Sequence, residues 1–177
     1  MSSVILDSVG LGRTISRMAH EIAERNPDPS RLMVVGVQRG GVHLGQRLVR
    51  HLEALLGCTL PVGVLDVSMH RDDLAQRSGL ELRPTRLPAG LDGLTVVLVD
   101  DVLYTGRTTR AALDALNAFG RPDRVQLAVL VDRGHRQLPI KADFVGKNVP
   151  THPSQRIDVQ WSEDGREDRV VLEGEAA

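Results

Sequence analysis

One stretch constrains this chain more than any other: Val96-Val97-Leu98-Val99-Asp100-Asp101-Val102-Leu103-Tyr104-Thr105-Gly106-Arg107-Thr108-Thr109. Four consecutive apolar residues read as a strand buried on both faces. Two adjacent carboxylates stand at its carboxyl end. A loop of Thr and Gly follows, and then a helix begins. In an open α/β sheet that edge is where ligands bind. Gly106 permits a tight turn and a close backbone approach. The amides of residues 105–109, with the hydroxyls of Thr105, Thr108 and Thr109, suit a phosphate at a helix N-terminus. Two acids beside such a cup repel phosphate, so they serve another group. The vicinal hydroxyls of a ribose or a hydrated magnesium ion would suit them. A strand that merely ends in a capping acid and a turn needs one Asp, not two acids and Thr-Gly-Arg-Thr-Thr.

The rest of the chain alternates helix and strand around this motif. Residues 8–25 read as an amphipathic helix with Val9, Ile15, Met18, Ala19 and Ile22 inward, capped by Asp7 or Ser8. Asn26-Pro27-Asp28-Pro29 ends it. Leu32 to Val37 is a second buried strand, followed by the turn Gln38-Arg39-Gly40-Gly41 and a helix over about 42–56. Pro61 to Val67 reads as another strand. Residues 68–93 show no apolar period, which marks a long functional or mobile loop. A helix over about 108–119 puts Ala112, Leu113, Leu116 and Phe119 inward, and Arg124 to Val131 is a fourth strand. Short extended pieces near 143–146, 156–160 and 169–173 read as an appended cap. The alternation predicts an α/β domain with a mostly parallel sheet and helices on both faces.

With 177 residues the chain fits one domain and needs no disulfide to hold a core. Cys58 is its only cysteine, which excludes an internal disulfide and a cysteine-rich zinc site. The six histidines lack metal-ligand spacing. Gly10-Leu11-Gly12 is not a dinucleotide fingerprint, because Ile15 occupies the third glycine position. No apolar run is long enough to span a membrane and no signal peptide is visible, so a cytoplasmic protein is expected. The net charge of −1 is unevenly spread. From Arg133 to Arg156 stand five basic residues and one acid; from Trp161 to Ala177 stand six acids and two arginines. A basic segment in a neutral chain can mark an anionic partner.

The segment from Asp100 to Thr109 resembles the phosphoribosyl-diphosphate (PRPP) signature of type I phosphoribosyltransferases. The resemblance implies that Asp100 and Asp101 hold the ribose hydroxyls, with Asp101 a candidate catalytic base. It implies that Val102, Leu103, Tyr104, Thr105, Gly106, Arg107, Thr108 and Thr109 form the rest of the PRPP site. The turn at Arg39, Gly40 and Gly41 resembles the family's pyrophosphate loop, although relatives often carry Arg where this chain has Gly40. The segment 68–93 resembles the loop that closes over PRPP. Arg71 would reach pyrophosphate on closure, and His70 stands where Tyr is more common. Asp132 and Arg133, at the end of the fourth strand, would bind the base. Mg2+ is the implied cofactor, held through ligand and water without direct protein ligands.

From about Val4 to about Val159 the chain resembles one subfamily more closely. Its members are pyrimidine operon attenuation regulators and uracil phosphoribosyltransferases at once. The stretches carrying that likeness are Val129 to Arg136, Val145 to Thr151, and Arg17 with His20-Glu21. It implies a C-terminal hood over about 133–177. It also implies an RNA surface of Ser16, Arg17, His20, His135, Arg136, Lys141, Lys147 and Thr151. The partners implied are PRPP, uracil, UMP or UTP, the leader mRNA of pyrimidine biosynthetic genes, and further copies of the chain in a dimer or larger assembly. A salvage phosphoribosyltransferase for a pyrimidine or purine base, without RNA binding, remains the alternative. Aromatic residues are only 2% of the chain, so RNA recognition would rest on Arg, Lys, His and polar groups instead of stacking.

Overall fold

The computed structural model describes residues 2–72, 83–88 and 90–174. Eight strands and three longer helices appear in the order β1 (Ser2–Leu6), α1 (Ser8–Arg25), β2 (Leu32–Val37), α2 (Gly40–Leu56), β3 (Val62–Leu65), β4 (Thr95–Leu103), α3 (Arg107–Leu116), β5 (Arg124–Asp132), β6 (Phe144–Asn148), β7 (Arg156–Gln160) and β8 (Arg169–Glu173). Five of the strands form one parallel sheet, ordered β3-β2-β4-β5-β6. The central strands are continuous apolar runs because both faces are covered. Val34, Val97, Val99 and Leu130 pack with α1 and α2; Met33, Val35, Val96, Leu98 and Val129 pack with α3. The α/β class and the helices on both faces are as the alternation predicts. Among the described residues no helix is long and apolar enough to cross a membrane.

The structure corrects several local readings. Val9 is 61% exposed and Leu11 takes its place in the core. The stripe of α1 starts two residues later, with Leu11 in register with Ile15, Met18 and Ile22; Asp7 caps the helix, its carboxylate accepting the Gly10 amide at 2.7 Å. Helix α3 ends at Leu116, so Phe119 lies beyond it; Leu113 faces solvent, and Ala111, Ala112, Ala115 and Leu116 form the buried stripe. Residues 144–148 are not part of the cap. They are the edge strand of the main sheet, paired in parallel with β5. Gly146 makes that possible: a Cβ there would stand 2.4 Å from the Leu130 carbonyl and 2.9 Å from Thr14 of α1.

The cap is a three-stranded antiparallel sheet, ordered β1-β8-β7. The N-terminal strand β1 therefore closes the hood, a pairing with no local sequence signal. Trp161, Ile157 and Val170 bury it against α1 and α2. Arg47 of α2 fastens the acidic stretch that follows. Its guanidinium lies 4.8 Å over the Trp161 ring and donates to Glu163 (2.6 Å), Asp168 (2.7 Å) and the Ser162 hydroxyl (3.1 Å). These bonds hold both carboxyls below the usual carboxylate range.

Of the expected loop 68–93, residues 73–82 and 89 lie outside the described residues. The described ends are ordered. Ser68–His70 is a short 3-10 turn, and Arg86 pairs with Val64 through two backbone hydrogen bonds of 2.8 Å each.

Candidate active site

Strand β4 does not stop before the acids; it runs through them to Leu103, with Asp100 opposite Val129 and Leu103 opposite Asp132 of β5. Asp100 is buried and its Oδ1 accepts the Asp101 amide at 2.9 Å. Asp101 accepts the Val102 amide at 2.8 Å. Burial pushes the Asp100 carboxyl well above its ordinary range, and the adjacent Asp101 charge adds to that. Burial also raises Asp101, helped by the charge of Asp158 in β7.

The turn Gln38–Gly41 packs directly on this pair. A Cβ on Gly41 would stand 2.2 Å from the Val99 carbonyl, and one on Gly40 1.9 Å from Asp101 Oδ2. At Gly41 the neighbour is backbone, so glycine is required for this approach; at Gly40 it is the Asp101 side chain, which would have to turn aside for a larger residue. The Gln38–Arg39 peptide is cis. Arg39 is exposed at the start of α2.

Gly106 adopts φ +93° and begins α3. That turn points the first amides of α3 into the loop 105–109. Gln137 and Leu138 donate their amides to the Thr105 carbonyl at 3.0 and 3.2 Å, so the following loop braces this one. Arg71 is held beside the loop 105–109. It donates to Thr108 Oγ1 at 2.7 Å, and its charge acts on Asp100. Its neighbour Asp72 is paired with Arg107 and Arg110 of α3, which ties this segment to the start of that helix.

Asp132, Arg133, His135 and Thr151 line a pocket of about 400 Å³ with Arg136 and Asn148–Pro150. Arg133 is buried and lies 4.1 Å over the Tyr104 ring. It donates to Thr151 Oγ1 at 3.1 Å and to the His152 carbonyl at 3.2 Å. Asp132 accepts the Gly134 amide at 3.0 Å and pairs with Arg136. Tyr104 thus links two loops that the sequence leaves separate, and its aromatic ring was the available signal.

The residues assigned to RNA divide into two groups. Ser16, Arg17 and His20 lie on α1 beside β6. Arg17 pairs with Glu21 and donates to the carbonyls of Val145 and Gly146; Lys147 reaches the Ile5 carbonyl at 3.3 Å. Lys141 is exposed just before β6. The second group belongs to the pocket. His135 contacts the Thr151 carbonyl at 2.6 Å. The Arg136 guanidinium is committed to Asp132, the Tyr104 carbonyl (2.8 Å) and the Ile140 carbonyl (2.9 Å). These acceptors hold the Arg136 side chain at the pocket rim, partly exposed.

A parallel sheet with an acid pair and a glycine-braced anion loop at its carboxyl edge defines a class. The chain belongs to the phosphoribosyltransferase family: the family model for the phosphoribosyl transferase domain matches residues 2–164. Within that family it stands in the PyrR branch. It is 51% identical over 169 residues to the Bifunctional protein PyrR of Pelotomaculum thermopropionicum, covering 95% of this chain and 93% of that one. It is 54% identical over 170 residues to the Bifunctional protein PyrR of Roseiflexus sp., with the same coverage. A hypoxanthine phosphoribosyltransferase structure from Trypanosoma cruzi shares the fold, with a TM-score of 0.72 at 18% identity over 96% of this chain and 95% of that one.

Proposed function

We propose that the chain transfers a phosphoribosyl group from PRPP to uracil, giving UMP and pyrophosphate, and that it binds the leader mRNA of pyrimidine biosynthetic genes in response to UMP or UTP. The observation that carries the enzyme half is the meeting of three parts on one sheet edge: the acid pair, the glycine turn at 38–41 and the pocket at 132–136. The near-half identity to proteins named bifunctional supports the pair of activities.

In the reaction, pyrophosphate leaves C1 of the ribose and N1 of uracil bonds to that carbon. Asp100 and Asp101 hold the ribose hydroxyls, which fixes C1 between the glycine turn and the base pocket. Positive charge develops on the sugar, and the buried carboxylates stabilise it. Asp101 is the candidate acceptor for the N1 proton, and its raised pKa makes it a better acceptor than an ordinary carboxylate. Arg133, locked on Tyr104, walls the pocket for a planar base.

Among the described residues no group of three or more His, Cys, Asp or Glu stands ready to hold a metal. Adjacent Asp100 and Asp101 suit a hydrated Mg2+ that arrives on the diphosphate, with the contacts made through water. That ion would neutralise the leaving group.

For RNA, the supporting surface is the exposed face of α1 with Lys141 and Lys147; a cytoplasmic location goes with this role. The test is incubation with PRPP, Mg2+ and each free base in turn, with filter binding to a pyrimidine leader. UMP formation and leader binding above a scrambled RNA are expected. Nucleotide formation only from a purine base would overturn the uracil assignment.

A further inference from the structure

The pocket at 132–136 contains a buried cation whose charge no carboxylate balances. Its walls carry one carboxylate, Asp132, and two guanidiniums, Arg133 and Arg136. Asp132 is paired with Arg136, and its other oxygen takes the Gly134 amide at 3.0 Å. That pair cancels and leaves Arg133. Only 7% of Arg133 is exposed, and among the described residues no Asp or Glu pairs with it. Neutral groups hold it instead. Nε donates to Thr151 Oγ1 at 3.1 Å, Nη2 donates to the His152 carbonyl at 3.2 Å, and the guanidinium lies 4.1 Å over the Tyr104 ring. Buried charges are ordinarily paired, because leaving water alone is costly to them.

We propose that Arg133 is the charge partner of the base: it stabilises the negative charge that uracil carries as N1 gives up its proton, and Tyr104 is the positioning residue that aims it. The inference rests on the phosphoribosyl-transfer reading above. A guanidinium has five N–H donors. Two are used, and neither N–H of Nη1 has a protein acceptor. Among the described residues Trp161 Nε1 is the one sealed side-chain polar atom without a partner, so Nη1 is not sealed and keeps access to the pocket that Arg133 lines.

The chemistry asks for such a cation at one moment only. Free uracil is neutral and carries hydrogen on N1. That proton passes to Asp101 in the reading above, and the electron pair left behind spreads from N1 onto the ring carbonyl oxygens. The N1–C1 bond then forms while the C1–O bond to pyrophosphate breaks, and pyrophosphate leaves with that electron pair. The base of UMP is neutral again. Negative charge therefore sits on the base between substrate and product, and a fixed cation beside it binds the transition state more strongly than either. The ligand class this defines is a base with an acidic ring N–H whose anion is shared by carbonyl oxygens. Tyr104 keeps the cation in place. Its carbonyl takes Arg136 at 2.8 Å and its ring meets His135 edge-on at 5.8 Å, so the ring under Arg133 is itself held from two sides. The planar guanidinium matches that ring, which the point charge of a lysine would not.

The experiment uses the full-length protein with PRPP, Mg2+ and two bases, uracil and 5-fluorouracil. Fluorine withdraws electrons, so 5-fluorouracil has a more acidic N–H at nearly the same size, and its anion needs less help. In Arg133→Gln, kcat/KM for uracil falls about 100-fold, the size of one lost oxyanion-type donor, and for 5-fluorouracil only about tenfold. The KM for PRPP and the calorimetric affinity for UMP, whose base bears no N1 proton and no charge, stay near the wild-type values. Tyr104→Leu opens the same gap between the two bases with a smaller loss, and serves if Arg133→Gln does not fold. An equal fall for both bases overturns the proposal, because it marks lost pocket shape alone. So does an undiminished kcat/KM for uracil in Arg133→Gln, or a UMP affinity that falls as far as the uracil rate. A wild type that makes no nucleotide from any base refutes the transfer reaction. Calorimetry then decides the rest: tighter binding of 5-fluorouracil than of uracil, lost in Arg133→Gln, leaves the charge partner standing, and equal binding of the two overturns it as well.

Discussion

Gly41→Ala is the sharpest test of how the site is assembled. The added Cβ would lie 2.2 Å from the Val99 carbonyl oxygen and 3.0 Å from Asp100 Cα. Both are backbone, so no rotamer change relieves the clash. Contacts below 3.0 Å are not sustained, so the turn and the end of β4 must separate by about 0.8 Å at least. Overpacking of this kind costs about 1–3 kcal/mol of stability. The larger effect falls on turnover, because the turn carries Arg39 and abuts both acids. A displacement near 1 Å costs about 100-fold in rate, or roughly 2.7 kcal/mol of transition-state stabilisation. The control is Gly12→Ala on α1, where nothing lies within 4 Å of the new Cβ. That change should add about 0.5–1 kcal/mol of stability and leave activity alone. Thermal unfolding and UMP formation at saturating and limiting PRPP measure both variants. A folded Gly41→Ala protein with wild-type turnover would refute the close packing of turn and acids as the basis of the site.

The other expected outcomes concern charge. Asp100 has its pKa raised in the folded state, so between its ordinary value and the folded value the native protein binds more protons than the unfolded chain; stability falls as pH rises through that window. Asp100→Asn should therefore raise Tm at neutral pH, by a margin that shrinks on acidification, while abolishing UMP formation; a lower Tm at neutral pH would contradict the burial argument. Arg47→Met should destabilise by about 2–3 kcal/mol, because Glu163 and Asp168 are left facing each other, and should shift the emission of buried Trp161 to the red. Arg136→Ala should lower turnover, since it unties Asp132 from the Tyr104 loop, and normal kinetics would return Arg136 to the surface group. Lys141→Ala with Lys147→Ala should flatten the salt dependence of leader binding by about 0.7–0.9 in slope per lost phosphate contact and preserve UMP formation; an unchanged slope would clear both lysines of RNA contact.

The central sheet was legible because burial on both faces writes itself as unbroken apolar runs, as at Leu32–Val37 and Val96–Val99. The anion loop was legible because Gly106 and its threonines are contiguous. What escaped depends on pairing across the chain. Strand β1 reads as nothing special until β8, more than 160 residues later, supplies its partner. Residues 144–148 look like cap because their fit to the main sheet depends on α1 closing over Gly146. Arg136 sits in a basic run, yet its direction is set by the carbonyls of Tyr104 and Ile140, which charge counting cannot see. The Asp72 pairs with Arg107 and Arg110, which tie the end of the 68–72 segment to α3, are likewise invisible to the sequence.

The two proposed activities share a strand instead of competing for a surface. Strand β6 meets α1 through Arg17, which holds the carbonyls of Val145 and Gly146, and it bears Lys147. The same strand then runs into Asn148–Thr151, which lines the base pocket and accepts Arg133 and His135. A nucleotide that orders residues 148–151 acts on the end of the element whose flank carries the α1 and Lys147 face. Linkage makes that influence reciprocal: whatever factor UMP exerts on leader affinity, the leader exerts on UMP affinity. The coupling requires that the nucleotide shift residues 148–151 between two arrangements, since a shared strand transmits only a change that it undergoes itself.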